Sequence, residues 1–129
     1  MAELSVDLPD NRNFFAPGDI LKGTAAWQLD HAPEKIHLRL FWYTRGKGTE
    51  DIEVVSETVF DHPHPTENRP FEIPLPQSPY SFNGKLVSLI WALELVTDNN
   101  KTAALKEIVI SPYGEEVDLL KHSAESLPA

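Results

Sequence analysis

Apolar and polar residues alternate along most of this chain. In "KIHLRLFWY", Ile36, Leu38, Leu40 and Trp42 fall on one side of an extended backbone, with His37, Arg39, Phe41 and Tyr43 on the other. That period of two marks a half-buried strand. "DILKGTAAWQL" groups Leu21, Gly23, Ala25, Trp27 and Leu29 against Lys22, Thr24 and Gln28. In "TEDIEVVSETVF", Ile52, Val54, Thr58 and Phe60 share a side and alternate with Glu53 and Glu57. Seven strands are predicted, at about 2–8, 19–29, 35–45, 50–60, 69–75, 85–97 and 103–111. Their regular spacing without intervening helical patterns indicates an all-β sandwich of about seven antiparallel strands.

Turn chemistry separates these runs. Pro17-Gly18-Asp19 precedes one strand, Gly46-Lys47-Gly48 joins two, and "TDNNK" (97–101) reads as a hairpin connection. The three prolines of "DHPHPTENRP" (61–70) predict an extended loop. In "PLPQSPYSFNGKLVSLIWALEL", Pro74, Pro76 and Pro79 cannot donate to a ladder, so they suit a strand end. Asn83-Gly84 then supplies permissive backbone angles for re-entry. Val87, Leu89, Trp91, Leu93 and Leu95 follow with the pattern of a long buried strand. Residues 1–112 are expected to form the sandwich and 113–129 a tail, flexible or a short helix, in which Val117, Leu120 and Ala124 have helix-like spacing.

Several of these motifs resemble the arrestin family. "FAPGDILKGTAAWQL" is similar to its opening pattern through Phe15, Pro17, Gly18, Asp19, Ile20 and Gly23, and "KIHLRLFWY" to the core strand that follows. "FEIPLPQSPYSFNGKLVSLIWALELV" resembles its most distinctive segment through Phe71, Ile73, Pro74, Pro79, Ser81, Phe82, Gly84, Ile90, Trp91, Leu93 and Leu95. The resemblance spans residues 13–111 and implies an immunoglobulin-like sandwich of the arrestin N-domain type. Arrestin-like proteins usually carry two such sandwiches, and this chain has room for one that looks like the first. A cargo cradle shared between two domains would therefore need dimerisation or a partner. No Pro-Pro-x-Tyr docking motif is present.

Composition narrows the function. The 129 residues carry 11 Lys and Arg against 20 Asp and Glu, a formal charge of −9. A phosphate-backbone binder needs a basic stripe, so nucleic acid is not an expected partner, nor is electrostatic docking to anionic lipid. With no cysteine, disulfides and thiolate chemistry are excluded. "MAELSVDLPDNRN" shows no basic segment followed by an apolar one, and no run is long enough to span a bilayer. A cytoplasmic protein without membrane insertion is the expectation.

Candidate chemistry is sparse. Asp61, His62 and His64 in "DHPHP" form a weak metal-like cluster, carboxylate and imidazole being suitable ligands. A proline-stiffened solvated loop is the competing reading, and no metal or cofactor is expected. No nucleophile elbow or phosphate-cradling glycine loop occurs, so no catalytic residue is assigned and an enzyme is not expected. Phe41, Tyr43 and Ile90 fall opposite core-directed neighbours, and exposed aromatics often mark interaction surfaces. The expected function is a non-enzymatic adaptor or scaffold for a protein or peptide partner, with homodimerisation as a variant. The alternative is a sandwich that binds small ligands or carbohydrate on tryptophan or tyrosine platforms.

Overall fold

The structure, a computed structural model, describes residues 3–46, 50–84, 87–98, 103–112 and 117–118. Seven long strands match the predicted ones: β1 (Glu3–Asp7), β3 (Ile20–Gln28), β4 (Lys35–Gly46), β5 (Ile52–Asp61), β6 (Thr66–Pro74), β8 (Val87–Thr97) and β9 (Ala103–Ile110). Three two-residue strands join them: β2 (Phe14–Phe15), β7 (Phe82–Asn83) and β10 (Val117–Asp118). Two residues are too short to show a period, so alternation could not reveal them.

Two sheets face each other. The smaller has the order β1-β3-β6. In the larger, β8 lies between β4 and both β7 and β9; β5 flanks β4, β2 pairs with β9, and β10 with β7. All pairings among the seven long strands are antiparallel, whereas β2/β9 and β10/β7 are parallel. Together they form the all-β, immunoglobulin-like sandwich that the alternation and the motifs predict. The tail expectation falls almost wholly outside the described residues; Val117 and Asp118 are described, and they pair with Phe82 and Asn83.

Alternation explains the core. Leu38 and Leu40 from β4, and Trp91, Leu93 and Leu95 from β8, are fully buried between the sheets, facing Leu21, Ala25 and Ile73 of the smaller sheet. Trp42 packs against the same cluster. Gly23 sits where β1 crosses close by. A Cβ there would meet the Phe71 ring at 2.7 Å and the Asp7 carbonyl at 2.8 Å.

Two strand readings need correction. The loop predicted at 61–70 is shorter, because β6 begins at Thr66 and includes Pro70. An edge strand tolerates a residue without an N–H, and β6 pairs with β3 alone among the described strands. The second correction concerns β5. Leu40 lies opposite Ser56, but Phe41 lies opposite Val54, which leaves Val55 as an extra residue in a bulge. The bulge reverses the facing of the strand. Thr58 and Phe60 lie on the core side as predicted, but Ile52 and Val54 turn outward beside Tyr43 and Phe41.

The prolines act at corners. Pro17-Gly18-Asp19 forms a tight turn in which Gly18 adopts a φ of 82°, a region that favours glycine. Asp19 N–H donates to the Ala16 carbonyl and Leu75 N–H to the Asp19 carbonyl, which ties this turn to the segment after Pro74. Positive φ occurs at Gly18 and Gly46 and, among the described glycines, not at Gly84. Gly84 donates its N–H to the Val87 carbonyl at the re-entry.

Candidate interaction surface

The outer face of the larger sheet can be built strand by strand. Residues directly opposite in register share a side. Tyr43 lies between Ile52 on β5 and Ile90 on β8, and Phe41 lies between Val54 and Ala92. These two rows make an apolar band at one end of the face. At the other end His37 lies between Val59 and Val96, and Val96 is followed by Ala103 on β9. Beyond β9, Phe14 of β2 lies opposite Val109.

Much of this apolar surface is open to solvent. Ile52 is 70% exposed, Leu105 58%, Val54 52%, Phe14 39% and Val59 38%. Five of the eight large hydrophobic side chains exposed among the described residues therefore lie on one face. Single exposed apolar residues are ordinary; here five share one sheet face.

Charge crosses the face between the two bands. Arg39 Nε donates to Glu57 Oε2 at 2.8 Å and Nη1 donates to Glu94 Oε1 at 3.2 Å, joining three strands. The hydrogen bond from Arg39 holds the Glu57 carboxyl below the ordinary glutamate range, and bonding to Glu57 raises the Arg39 pKa against the opposing effect of burial. A second cluster lies beside Tyr43. Its hydroxyl donates to Glu107 Oε1 at 2.9 Å and accepts from Arg45 Nη2 at 2.9 Å. Burial, with the Glu107 bond as a further cause, raises the Tyr43 pKa.

The sequence-predicted interaction residues sit on this face, with one correction. Phe41 points away from the core cluster but is only 8% exposed. It stacks on Tyr43 with ring centroids 5.9 Å apart. Its neighbours on β5 and β8 cover it, because a sheet interior packs side chains from three strands around each position. Tyr43 is half-buried and occupied by Arg45 and Glu107. Ile90 is half-buried and lines a polar pocket of about 290 Å³ with Arg45, Ser88 and Glu107. The exposed apolar residues are instead Ile52, Val54, Val59, Leu105 and Phe14, none of which the sequence reading singled out. One signal was available: the Val54-Val55 doublet breaks strict alternation and marks the bulge that turns Ile52 and Val54 outward.

The two proline-rich loops serve the core. Trp27 Nε1 donates to the His64 carbonyl at 2.8 Å, and Trp91 Nε1 donates to the Pro79 carbonyl at 3.0 Å. Each loop thus supplies an acceptor for a buried indole. Ser81, 1% exposed, donates its N–H to the Ile110 carbonyl, and its Oγ accepts from Ile110 N–H. Phe82 pairs with Leu89. In the metal-like loop, Asp61 pairs with Lys35 in register, His62 adopts a φ of 47° and donates its N–H to the Glu34 carbonyl, and His64 N–H donates to Glu67. The described residues contain no group of three or more His, Asp or Glu placed to hold a metal ion. Among them no helix is long and apolar enough to cross a membrane.

No protein-family model matches the chain, and no curated protein sequence matches it. Solved structures do. The crystal structure of Spo0M, a sporulation control protein from Bacillus subtilis, is similar with a TM-score of 0.60 and 17% identity. The match covers 85% of this chain and 49% of that one, so the chain spans about half the length of this structural relative. A weaker likeness, with a TM-score of 0.49 and 13% identity, is to a mutant β-glucosidase from Listeria innocua; it covers 91% of this chain and 16% of that one. The fold is an arrestin-like β-sandwich.

Proposed function

We propose that this domain is a non-enzymatic protein-interaction module whose recognition surface is the outer face of the larger sheet. The observation that supports it is the grouping of Ile52, Val54, Val59, Leu105 and Phe14 on that face. Burying them against a partner releases ordered water, the dominant favourable term in most protein association. The Arg39 and Arg45 clusters supply fixed polar contacts that set orientation. The structural relative is described as a sporulation control protein, a regulatory role that fits a binding module. The carbohydrate alternative gains no support from the tryptophans. Trp27 and Trp91 are buried, and Trp42 packs against the core.

Differential affinity capture from the native host tests the reading. The wild-type chain should retain a protein that the Ile52→Ser/Leu105→Ser variant loses and the Lys22→Ala/Thr24→Ala variant, on the smaller sheet, keeps. Equal retention by all three would refute the assignment of the surface.

A further inference from the structure

The free edges of the two sheets differ. On the smaller sheet, β6 carries Pro70 and Pro74, and β1 is only five residues long. Both features blunt pairing with another chain. On the larger sheet, β5 is ten residues long, contains no proline, and pairs only with β4 among the described strands. Its outward backbone groups form a row suited to one more strand, interrupted at the Val55 bulge and regular from Ser56 to Asp61.

The charge of that edge is one-sided. Residues 50–61 include Glu50, Asp51, Glu53, Glu57 and Asp61 and no Lys or Arg. Arg39 engages Glu57, but the ion pairs of the described residues leave Glu50, Asp51 and Glu53 without a cation. Glu53 falls on the opposite side of β5 from Ile52 and Val54. A strand added here would extend the apolar band on one side and meet Glu53 on the other. We infer that β5 docks an extended segment of a protein partner in which aliphatic residues alternate with Lys or Arg. The inference rests on the protein-interaction reading of the adjoining face and names its partner. A second copy of this chain fits poorly, because β5–β5 pairing would bring Glu53, Glu57 and Asp61 from each copy into one ribbon with no basic residue, with Glu50 and Asp51 just before it.

Binding of a fluorescent peptide of alternating Lys and Val to the full chain, read by anisotropy, tests this against the same peptide with Glu in place of Lys. The Lys peptide should bind, the Glu peptide should not, and amide hydrogen exchange should slow across 52–60. Asp51→Lys/Glu53→Lys should weaken binding about tenfold or more with an unchanged urea midpoint. Equal binding of both peptides, no binding of either, or slowed exchange confined to another strand would overturn the inference. Binding that Ile52→Ser/Leu105→Ser abolishes but the charge reversal leaves intact would overturn the edge assignment while sustaining the interaction face. A dimer in light scattering with β5 protected in the absence of peptide would assign the edge to a second copy and overturn it too.

Discussion

The two outer faces of this sandwich are built from the same period-two pattern to opposite ends. On the smaller sheet, the outward positions of β3 are Ile20, Lys22, Thr24, Ala26 and Gln28; Ile20 is exposed at the end of the strand, and the other four lie beside Asp7 and Ser5 of β1 and Glu72, Pro70 and Asn68 of β6. Apart from Ile20, that face is polar. On the larger sheet the corresponding positions include Ile52, Val54, Val59 and Leu105. An antiparallel sheet with one buried face needs apolar residues only on that face. The exposed apolar residues of the larger sheet are therefore not part of the core between the sheets, and they are what supports the proposed recognition surface.

The largest effects should come from the inner layer. Leu93→Ala, at a fully buried position on β8, should cost about 2–5 kcal/mol in urea unfolding. Leu105→Ala on the outer face of the adjacent β9 should stay within about 0.5 kcal/mol of wild type. A comparable loss at both positions would erase the distinction between the layers.

Next in size is the crossing at Gly23, which also belongs to the inner side of the smaller sheet. Gly23→Ala places a Cβ within 3 Å of Phe71, Asp7 and Leu8 and should cost about 1–3 kcal/mol by the same measurement. A neutral result would show that β1 can move away, and that the smaller sheet is looser than its contacts indicate.

Ser81→Ala tests the corner that closes the core. It strands the buried Ile110 N–H and should cost about 1–2 kcal/mol, read as a lowered melting temperature. An unchanged melting temperature would show that Ile110 finds another acceptor.

The smallest effect concerns charge on the outer face. Because Arg39 lowers the folded-state pKa of Glu57, its stabilisation is present above the ordinary glutamate value and is lost as pH falls through the lowered one. Glu57 is 41% exposed, so solvent screening limits the effect to about 0.2–1 kcal/mol. Comparing the acid sensitivity of wild type and Glu57→Gln would reveal it, the variant losing less stability on acidification. Identical curves would assign the Arg39 pair no role in folding.

The residues that made the fold legible are those with strict alternation. Ile36 to Trp42 and Leu89 to Leu95 face the core as their spacing requires. The surface was less legible for two physical reasons. A bulge reverses facing without changing composition, so alternation alone puts Ile52 and Val54 on the side of Phe60, whereas the bulge at Val55 turns them outward. Burial of an outward residue also depends on strands distant in sequence, so Phe41, covered by β5 and β8, looked exposed from its own strand alone. The two indole bonds were hidden for a related reason. A proline-rich loop is poor in N–H donors, which leaves carbonyls free, but only the fold shows which tryptophan reaches them.

On the proposed reading, one outer face binds a partner and the other does not. A photo-crosslinking residue placed at position 54, and separately at position 24, with both chains expressed in the native host, tests it most directly. A discrete protein adduct is expected from position 54 and none from position 24. Adducts of equal yield from both positions, or an adduct from position 24 alone, would contradict it.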